Sequence, residues 1–151
     1  MKKGSKEYSR DKRSPTPKSE SVSKVMSANK AKHSTPELLL RKRLWAMGLR
    51  GYRTNYKALP GKPDIAFLKK KTAIFVNGCF WHRCPICNYS LPKTNTAFWE
   101  EKFGKNVSRD EKKTLQLQQA GWKVLTIWEC ELKKDVYNVA TGILELLKPT
   151  E

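Results

Sequence analysis

The first clear periodic segment of the chain is a run of apolar residues at helical spacing. Leu40, Leu44 and Met47 lie three or four residues apart, so they share one face of a helix. The residues Ser34-Thr35-Pro36-Glu37 are typical of a helix start, with a hydroxyl cap, a proline in the first turn and an acid near the positive end of the dipole. Because Gly48 ends the pattern, the spacing predicts a helix that runs to about Met47.

Short apolar runs further along the chain have the length of strands. Residues 64–68 and 72–76 are separated only by the basic residues 69–71, so we predict an antiparallel hairpin. The second run is apolar throughout, which is typical of a central strand. A third strand is predicted over residues 122–128, and residues 52–56 are a weaker candidate.

Further helices are predicted around these strands. Residues 98–103 have the pattern of a helical turn or two, and residues 108–111 form a capping box that predicts a separate helix ending near Ala120. Residues 136–147 predict an amphipathic C-terminal helix, and residues 21–31 predict a short helix with one apolar edge. Helices and strands in this order predict a mixed α/β fold.

The composition adds information mainly through charge. The chain of 151 residues is 38% hydrophobic, enough for one modest core, and has 31 Lys and Arg against 14 Asp and Glu, a formal charge of +17. A polyanion is the expected partner, because each phosphate that is neutralised releases counterions. Nucleic acid fits better than an acidic membrane surface, since the sequence predicts no strongly amphipathic basic helix.

The N-terminal segment differs in composition from the rest. Residues 1–22 are mostly Lys, Ser, Pro and Glu with almost nothing apolar, so we predict a basic disordered tail that either keeps the protein soluble or attracts DNA loosely. Residues 23–151 then form a single domain. No apolar run approaches the roughly 20 residues of a membrane span, and no apolar stretch follows Lys2 and Lys3. We therefore expect a cytoplasmic protein with reduced cysteines.

The four cysteines have the spacing of a metal site. Cys84 and Cys87 form a Cys-x-x-Cys knuckle, while Cys79 and Cys130 each follow a predicted strand. Four thiolates are the usual shell of structural zinc. The alternatives are two disulfides, a redox Cys-x-x-Cys or four unrelated thiols; a reducing cytosol argues against disulfides, and no helix starts at the knuckle as a redox motif requires. We predict zinc that braces the loop after Cys79.

Several side chains in or near this loop are candidates for chemistry, although each has an ordinary structural explanation. Asp64 begins a strand directly after a proline, where a carboxylate can bind magnesium, but Pro-Asp also occurs in ordinary turns. His82 is either a zinc ligand or a free imidazole for acid–base catalysis. Phe80 and Trp81 either stack on bases or pack in the core, and Trp99 has the same two explanations.

Five blocks of sequence, taken together, resemble one family. They are residues 59–64 (Leu-Pro-Gly-Lys-Pro-Asp), 75–82 (Phe-Val-Asn-Gly-Cys-Phe-Trp-His), 98–110 (from Phe-Trp to Arg-Asp), 121–125 (Gly-Trp-Lys-Val-Leu) and 128–130 (Trp-Glu-Cys). In this order they closely resemble the very short patch repair (Vsr-type) DNA mismatch endonucleases. The resemblance covers about residues 23–147, and Gly-Cys-Phe-Trp-His and Trp-Glu-Cys are its specific blocks.

The resemblance implies a fold and a reaction. The fold is a restriction-endonuclease-like mixed β-sheet core flanked by helices, with a structural zinc site. The reaction is magnesium-dependent nicking of one DNA strand, 5′ of the thymine in a T:G mismatch left by deamination of 5-methylcytosine, in very short patch repair. The implied protein is a monomer with two magnesium ions in the bacterial cytoplasm, associated with the nucleoid. Its expected partner is duplex DNA with the mismatch, and mismatch-repair proteins are candidate partners.

The resemblance also implies roles for single residues in catalysis. Asp64 matches a magnesium-binding carboxylate, and the backbone carbonyl of Val76 matches a second ligand of those ions. His82 matches a general base, and Asp110 matches a further acid of the active site. Glu37 matches a helix acid that supports the metal site through water.

Other matched residues bind zinc or DNA. All four cysteines match the zinc ligands of the family. Phe80, Trp81 and Trp99 match the aromatic residues that wedge into DNA beside the mismatch. The segment around Met26 matches an N-terminal helix that reaches the minor groove on the other side.

Some positions depart from the family pattern. Asn77 replaces an active-site histidine; an amide can orient a phosphate or a water but cannot exchange a proton at neutral pH. Cys84 replaces a histidine ligand, which still leaves four good zinc ligands. The second strand lacks the Glu-x-Lys that is usual in the wider restriction fold, so we expect catalysis to depend on His82 and metal-bound water.

Two other functions fit the same residues. One is a non-catalytic, zinc-braced protein that binds distorted duplex DNA, an alternative that Asn77 keeps open. The other is an endonuclease of the same fold that cuts ordinary duplex as part of a restriction system.

Overall fold

The computed structural model describes residues 34–149 of the chain. Their helices and strands follow in the order α1 (Thr35–Ala46), β1 (Arg53–Thr54), β2 (Ile65–Phe67), β3 (Thr72–Asn77), α2 (Thr96–Gln119), β4 (Lys123–Trp128) and α3 (Glu129–Leu147). The predicted tail over residues 1–22 and the predicted helix around Met26 lie outside the described residues. Within the described range, no helix has the length and apolar character that crossing a membrane requires.

The four strands form one mixed sheet in the order β1-β2-β3-β4. Strands β1, β2 and β3 pair antiparallel, with Ile65 opposite Ile74, which confirms the predicted hairpin. Strand β4 pairs parallel to β3, with Phe75 opposite Thr126. A parallel pair needs a long crossover, and the segment that contains α2 provides it. Strand β3 is therefore central, as its apolar sequence predicted.

Helix α1 agrees with its sequence signals. The Oγ atom of Ser34 accepts a hydrogen bond from the backbone N–H of Glu37 at 3.4 Å, and Pro36 lies in the first turn. Leu40 and Leu44 are fully buried along one face. This placement brings Glu37, in the first turn of the same helix, into the interior of the protein.

Helix α2 corrects the prediction of two separate helices over residues 98–103 and 108–120. It is a single helix of 24 residues, Thr96–Gln119, and the predicted capping box lies in its middle. Trp99, Phe103 and Leu117 are buried along one continuous face of this helix. Burial of that face outweighs the weak local preference of Ser108 for a helix start.

Helix α3 begins earlier than predicted. It starts at Glu129, directly after β4, and not at Val136. Asp135 has non-helical backbone angles (φ −161°, ψ 87°), and its carboxylate accepts a hydrogen bond from the N–H of Asn138 at 3.0 Å. The predicted segment is thus the second part of α3, capped by Asp135. The first part was missed because Leu132 is its one buried residue, so this part of the helix shows no apolar repeat.

The core lies on both faces of the sheet. Helices α1 and α3 cover one face, and α2 covers the other. Side chains of β3 alternate between these layers: Ile74 packs in the first, and Ala73 and Phe75 pack in the second with Leu117. The structure confirms the predicted mixed β-sheet flanked by helices.

Candidate active site and metal centre

Asp64 lies where β2 begins, held between the two neighbouring strands. Its Oδ2 atom accepts a 2.7 Å hydrogen bond from the backbone N–H of Val76 in β3. Its backbone carbonyl accepts a 3.1 Å hydrogen bond from the N–H of Asn55 on the other side. Pro63 is fully buried directly before it. The chain is therefore fixed on both sides of this carboxylate.

The surroundings of Asp64 oppose its ionisation. Burial raises the pKa of the Asp64 carboxyl from its usual value of 3.8 to about 6, despite the lowering effect of the Val76 hydrogen bond. The charge of Glu37 also raises this pKa, while the charges of Lys113 and His82 lower it. A buried carboxylate beside a second acid is a site that a cation would stabilise.

Glu37 is buried beside this carboxylate, with 1% of its surface exposed. Its Oε1 atom accepts a 3.1 Å hydrogen bond from Nδ2 of Asn55 and lies 3.8 Å from Nη1 of Arg41. Asn55 has a positive φ of 47°, a conformation that asparagine adopts more readily than most residues. Asn55 therefore connects Glu37, through its side chain, with the backbone of Asp64.

His82 and Asp110 form a close pair. Nδ1 of His82 lies 2.6 Å from Oδ2 of Asp110, and Nζ of Lys113 lies 2.9 Å from Oδ1 of the same carboxylate. Burial raises the pKa of Asp110, but the hydrogen bonds and charges of His82 and Lys113 outweigh it and hold the pKa below its usual value. Asp110 is therefore ionised at neutral pH and holds the imidazole by its Nδ1 nitrogen.

Val76 and Asn77 are the last two residues of β3, next to the loop that carries His82. The Asn77 residue is buried, with 6% exposed, and lies opposite Trp128 of β4 in the parallel pair. His82 follows a few residues later, and its backbone N–H donates to the carbonyl of Gly78 at 3.2 Å. The end of β3 thus leads directly into the loop that carries the histidine.

The four cysteines meet at one point. Their sulfur atoms all lie within 4.8 Å of one another, and those of Cys84 and Cys130 are 3.8 Å apart. A disulfide would need about 2 Å, whereas sulfurs bound to a tetrahedral ion at about 2.3 Å stand about 3.8 Å apart. Burial also raises the pKa of Cys79 to about 12, so this group gives a thiolate only when a cation compensates the charge. The four-cysteine cluster has the geometry and chemistry of a metal site.

Aromatic side chains pack together between this cluster and α2. Phe80 is the centre of the group, with its ring centroid 5.2–5.8 Å from those of Trp81, Trp99 and Phe103. We call these four residues the aromatic cluster. Trp99 and Phe103 are 9% and 3% exposed, while Phe80 and Trp81 are half-buried. Nζ of Lys102 lies 5.3–5.7 Å from the ring centroids of Trp81, Trp99 and the neighbouring Phe98.

Comparison with known proteins gives one consistent answer. The sequence model of the family described as DNA mismatch endonuclease Vsr matches residues 16–87. The DNA mismatch endonuclease Vsr of Escherichia coli (strain K12) is 40% identical over 111 residues, which span 74% of this chain and 70% of that protein. The chain belongs to the Vsr family. It is a DNA endonuclease, and DNA is its substrate.

Other relatives of this Vsr-family endonuclease are described as nicking enzymes. Type II nicking enzyme V.NmeAIP of Neisseria meningitidis serogroup A is 47% identical, over 72% of this chain and 77% of the relative. Among solved structures, the catalytic domain of homing endonuclease I-Bth0305I superposes with a TM-score of 0.52 and 29% identity. That match covers 75% of this chain and 93% of the domain, and it agrees with the restriction-endonuclease-like core.

The sequence analysis missed two residues that take part in this site. Asn55 was missed because its role depends on a left-handed backbone and a tertiary contact with Glu37. Lys113 was missed because α2 was divided into two helices. In one continuous helix, a lysine three residues after Asp110 lies on the same face, and this spacing is the signal that could have found it.

Proposed function

We propose that this endonuclease nicks one strand of duplex DNA on the 5′ side of the thymine of a T:G mismatch, by magnesium-dependent hydrolysis, in very short patch repair. The observation that carries the proposal is the arrangement of Asp64 against Val76 beside the charges of His82, Glu37 and Lys113. The names of the relatives, a mismatch endonuclease and a nicking enzyme, support the proposed substrate and single-strand cut.

Asp64 and the backbone carbonyl of Val76 are the proposed magnesium ligands. Both offer oxygen atoms, which Mg²⁺ prefers, and the raised pKa of Asp64 reflects a buried carboxyl group without enough positive charge around it. When bound, two such ions would supply electrostatic stabilisation of charge at the scissile phosphate. The role of Glu37 is to add negative charge next to these ligands and to support the site through water.

His82 is the proposed general base. Because Asp110 is ionised, Nδ1 of the imidazole carries the proton that Asp110 accepts, and the lone pair is on Nε2. Nε2 can then take a proton from the attacking water, and the products are a 5′ phosphate and a 3′ hydroxyl. Asn77 is buried at the end of β3 and is proposed to orient a water or phosphate oxygen through its amide.

Zinc is the proposed ion of the four-cysteine cluster. Four sulfur ligands leave no open position for a water, so the ion would be structural. Cys79 and Cys84 are separated by the segment that carries Phe80, Trp81 and His82. Zinc would therefore fix the general base and the half-buried rings of the aromatic cluster at the same time.

Phe80, Trp81 and Trp99 of the aromatic cluster are the proposed wedge. Phe80 and Trp81 are its more accessible members, and Trp99 supports them from α2. A mismatched base pair costs less free energy to unstack than a Watson–Crick base pair does. Insertion of these rings would therefore favour mismatched DNA. The segment around Met26 is proposed to contact the minor groove. We propose that the enzyme acts as a monomer, with mismatch-repair proteins as candidate partners.

A nicking assay tests the proposed function against its two alternatives. T:G and fully paired duplexes, labelled on each strand in turn, are incubated with magnesium, with Asp64→Ala as the inactive control. We expect cutting of the thymine strand of the T:G duplex only. Equal cutting of paired DNA would favour a restriction-type endonuclease. Binding of the T:G duplex without any magnesium-dependent nicking would favour the non-catalytic DNA-binding protein.

A further inference from the structure

Lys113 lies inside the site and not on a solvated face of α2. Its side chain is 16% exposed, and Nζ lies 2.9 Å from Oδ1 of Asp110. The same ammonium group lies 4.4 Å from the ring centroid of Phe75, which is itself 3% exposed. Its charge also acts on Asp64. A surface lysine that only attracted DNA would not be held between a buried ring and a carboxylate.

The aliphatic part of Lys113 has its own fixed surroundings. It packs against the turn at Gly61, so closely that a Cβ atom on Gly61 would lie 2.3 Å from Cδ of Lys113. Gly61 has a φ of +75° and precedes Asp64 by three residues. The stem of Lys113 thus contacts the turn that leads into the β2 carboxylate, while its head contacts the partner of His82. Both ends of the side chain are defined.

We infer that Lys113 is a positioning residue for the cleavage reaction, which holds the Asp110 carboxylate so that its other oxygen fixes the His82 imidazole. The chain Lys113–Asp110–His82 runs through the two oxygens of one carboxylate, Oδ1 and Oδ2. A carboxylate held at both oxygens cannot rotate away from the imidazole.

The position of this lysine also answers a question raised by the sequence. The second strand of the hairpin has no Glu-x-Lys, so a positively charged side chain in the site has to come from another element of the fold. Helix α2, which covers the face of the sheet opposite to α1 and α3, places Lys113 against the carboxylate of Asp110. The inference rests on the proposed function, because it assigns Lys113 to the same general base.

The test compares single-turnover nicking of a T:G duplex by Lys113→Met, Lys113→Arg and Asp110→Asn. Lys113→Met keeps the stem and removes the charge, and we expect a fall in the maximal rate of about 10- to 100-fold, with unchanged DNA affinity. Lys113→Arg should recover most of the rate, because a guanidinium can reach the same oxygen. The double variant of Lys113→Met with Asp110→Asn should be no slower than Asp110→Asn alone.

The exposed neighbour Lys112 gives a matched control. Lys112→Met removes the same charge from α2 and should leave both rate and affinity unchanged. Circular dichroism establishes that each variant is folded, and Lys113→Gln replaces Lys113→Met if the latter is not. An unchanged rate, additive effects of the two substitutions, or a loss of DNA affinity that accounts for the whole effect would each overturn the inference.

These outcomes separate the inference from the proposed function. If Asp64→Ala abolishes nicking and Lys113→Met does not slow it, the proposed function stands and the inference is wrong. If the unsubstituted protein nicks no duplex at all, the proposed function is wrong, and the role of Lys113 falls with it.

Discussion

The backbone N–H of Val76 donates a 2.7 Å hydrogen bond to Oδ2 of Asp64, across the strands of the β2–β3 hairpin. This bond fixes the carboxylate next to the main chain of β3, whose carbonyl groups alternate with its N–H groups. Strand β3 therefore orients the Asp64 carboxylate. At the proposed site, a backbone carbonyl of the same strand would bind the magnesium ion together with Asp64. The bond lowers the pKa of Asp64, but burial still keeps that pKa at about 6.

The first prediction concerns stability of the protein without magnesium. The folded pKa of Asp64, about 6, lies above its usual value of 3.8, so the carboxyl group favours the fold below pH 4 and loses this contribution as pH rises through 6. The loss is at most about 3 kcal/mol. We expect Asp64→Asn to raise the free energy of unfolding at pH 7.5, and to change it little at pH 4.

Urea unfolding at the two pH values, in buffer without magnesium, checks this prediction. Addition of magnesium should then stabilise the unsubstituted protein at pH 7.5 and have no such effect on Asp64→Asn, since a ligand stabilises only the state that binds it. A difference in free energy of unfolding between the two proteins that is the same at pH 4 and pH 7.5 would contradict the prediction, because the cost of burying the Asp64 charge depends on pH.

The second prediction concerns the His82–Asp110 pair. Asp110→Asn keeps the shape of the side chain but removes the negative charge that favours the Nδ1–H tautomer of His82. We expect the single-turnover nicking rate to fall by about 10²- to 10⁴-fold, the usual contribution of general acid–base catalysis. Zinc content and affinity for T:G duplex should not change.

Glu111→Gln is the matched control for this experiment. Glu111 is the next residue along α2, is exposed, and loses the same charge when substituted. We expect it to nick at the unsubstituted rate. Equal rates for the two variants would mean that the charge of Asp110 does not contribute through His82.

Short sequence patterns predicted the elements whose apolar residues lie close together along the chain. Helix α1 was predicted because its apolar residues repeat at helical spacing, and the β2–β3 hairpin because two short apolar runs are separated only by a basic turn. Helix α2 was divided in two because Ser108 is a good cap in isolation, whereas the burial of Trp99 and Leu117 on one long face is a tertiary effect.

The same distinction applies to the site. Asp64 and His82 could be found from the sequence, because both lie in blocks that resemble the Vsr family, although Pro-Asp by itself also occurs in ordinary turns. Asn55 could not, because its partner Glu37 is distant in sequence and the contact depends on a left-handed backbone at Asn55. Lys113 lies three residues after Asp110, and this spacing indicates a shared face only once α2 is recognised as one continuous helix.

The third prediction concerns the four-cysteine cluster. Cys84→His replaces one proposed zinc ligand by another side chain that binds zinc, and we expect the purified protein to keep one zinc ion. Cys84→Ser leaves three sulfur ligands, so we expect weaker zinc binding and a fall in Tm on the order of 10 °C. Metal analysis and thermal unfolding measure both effects. Full zinc content and unchanged Tm in Cys84→Ser would contradict the assignment of this thiol as a ligand.

The fourth prediction uses two glycines that differ in one respect. Gly51 and Gly61 have φ of +77° and +75°, so alanine is strained at either position by about 1–2 kcal/mol. A Cβ atom at Gly51 meets nothing within 4 Å, whereas one at Gly61 meets the stem of Lys113. Both alanine variants should therefore lose similar stability in urea unfolding, apart from any additional clash at Gly61.

Their nicking rates should differ, because only one of the two substitutions moves Lys113. We expect Gly51→Ala to nick at the unsubstituted rate and Gly61→Ala to be slower by about tenfold, as displacement of a supporting side chain commonly is. Gly61→Ala should also add nothing to Lys113→Met, because the displaced charge is already absent. If Gly61→Ala nicks as fast as Gly51→Ala while it is equally destabilised, the packing of the turn against Lys113 does not reach the reaction.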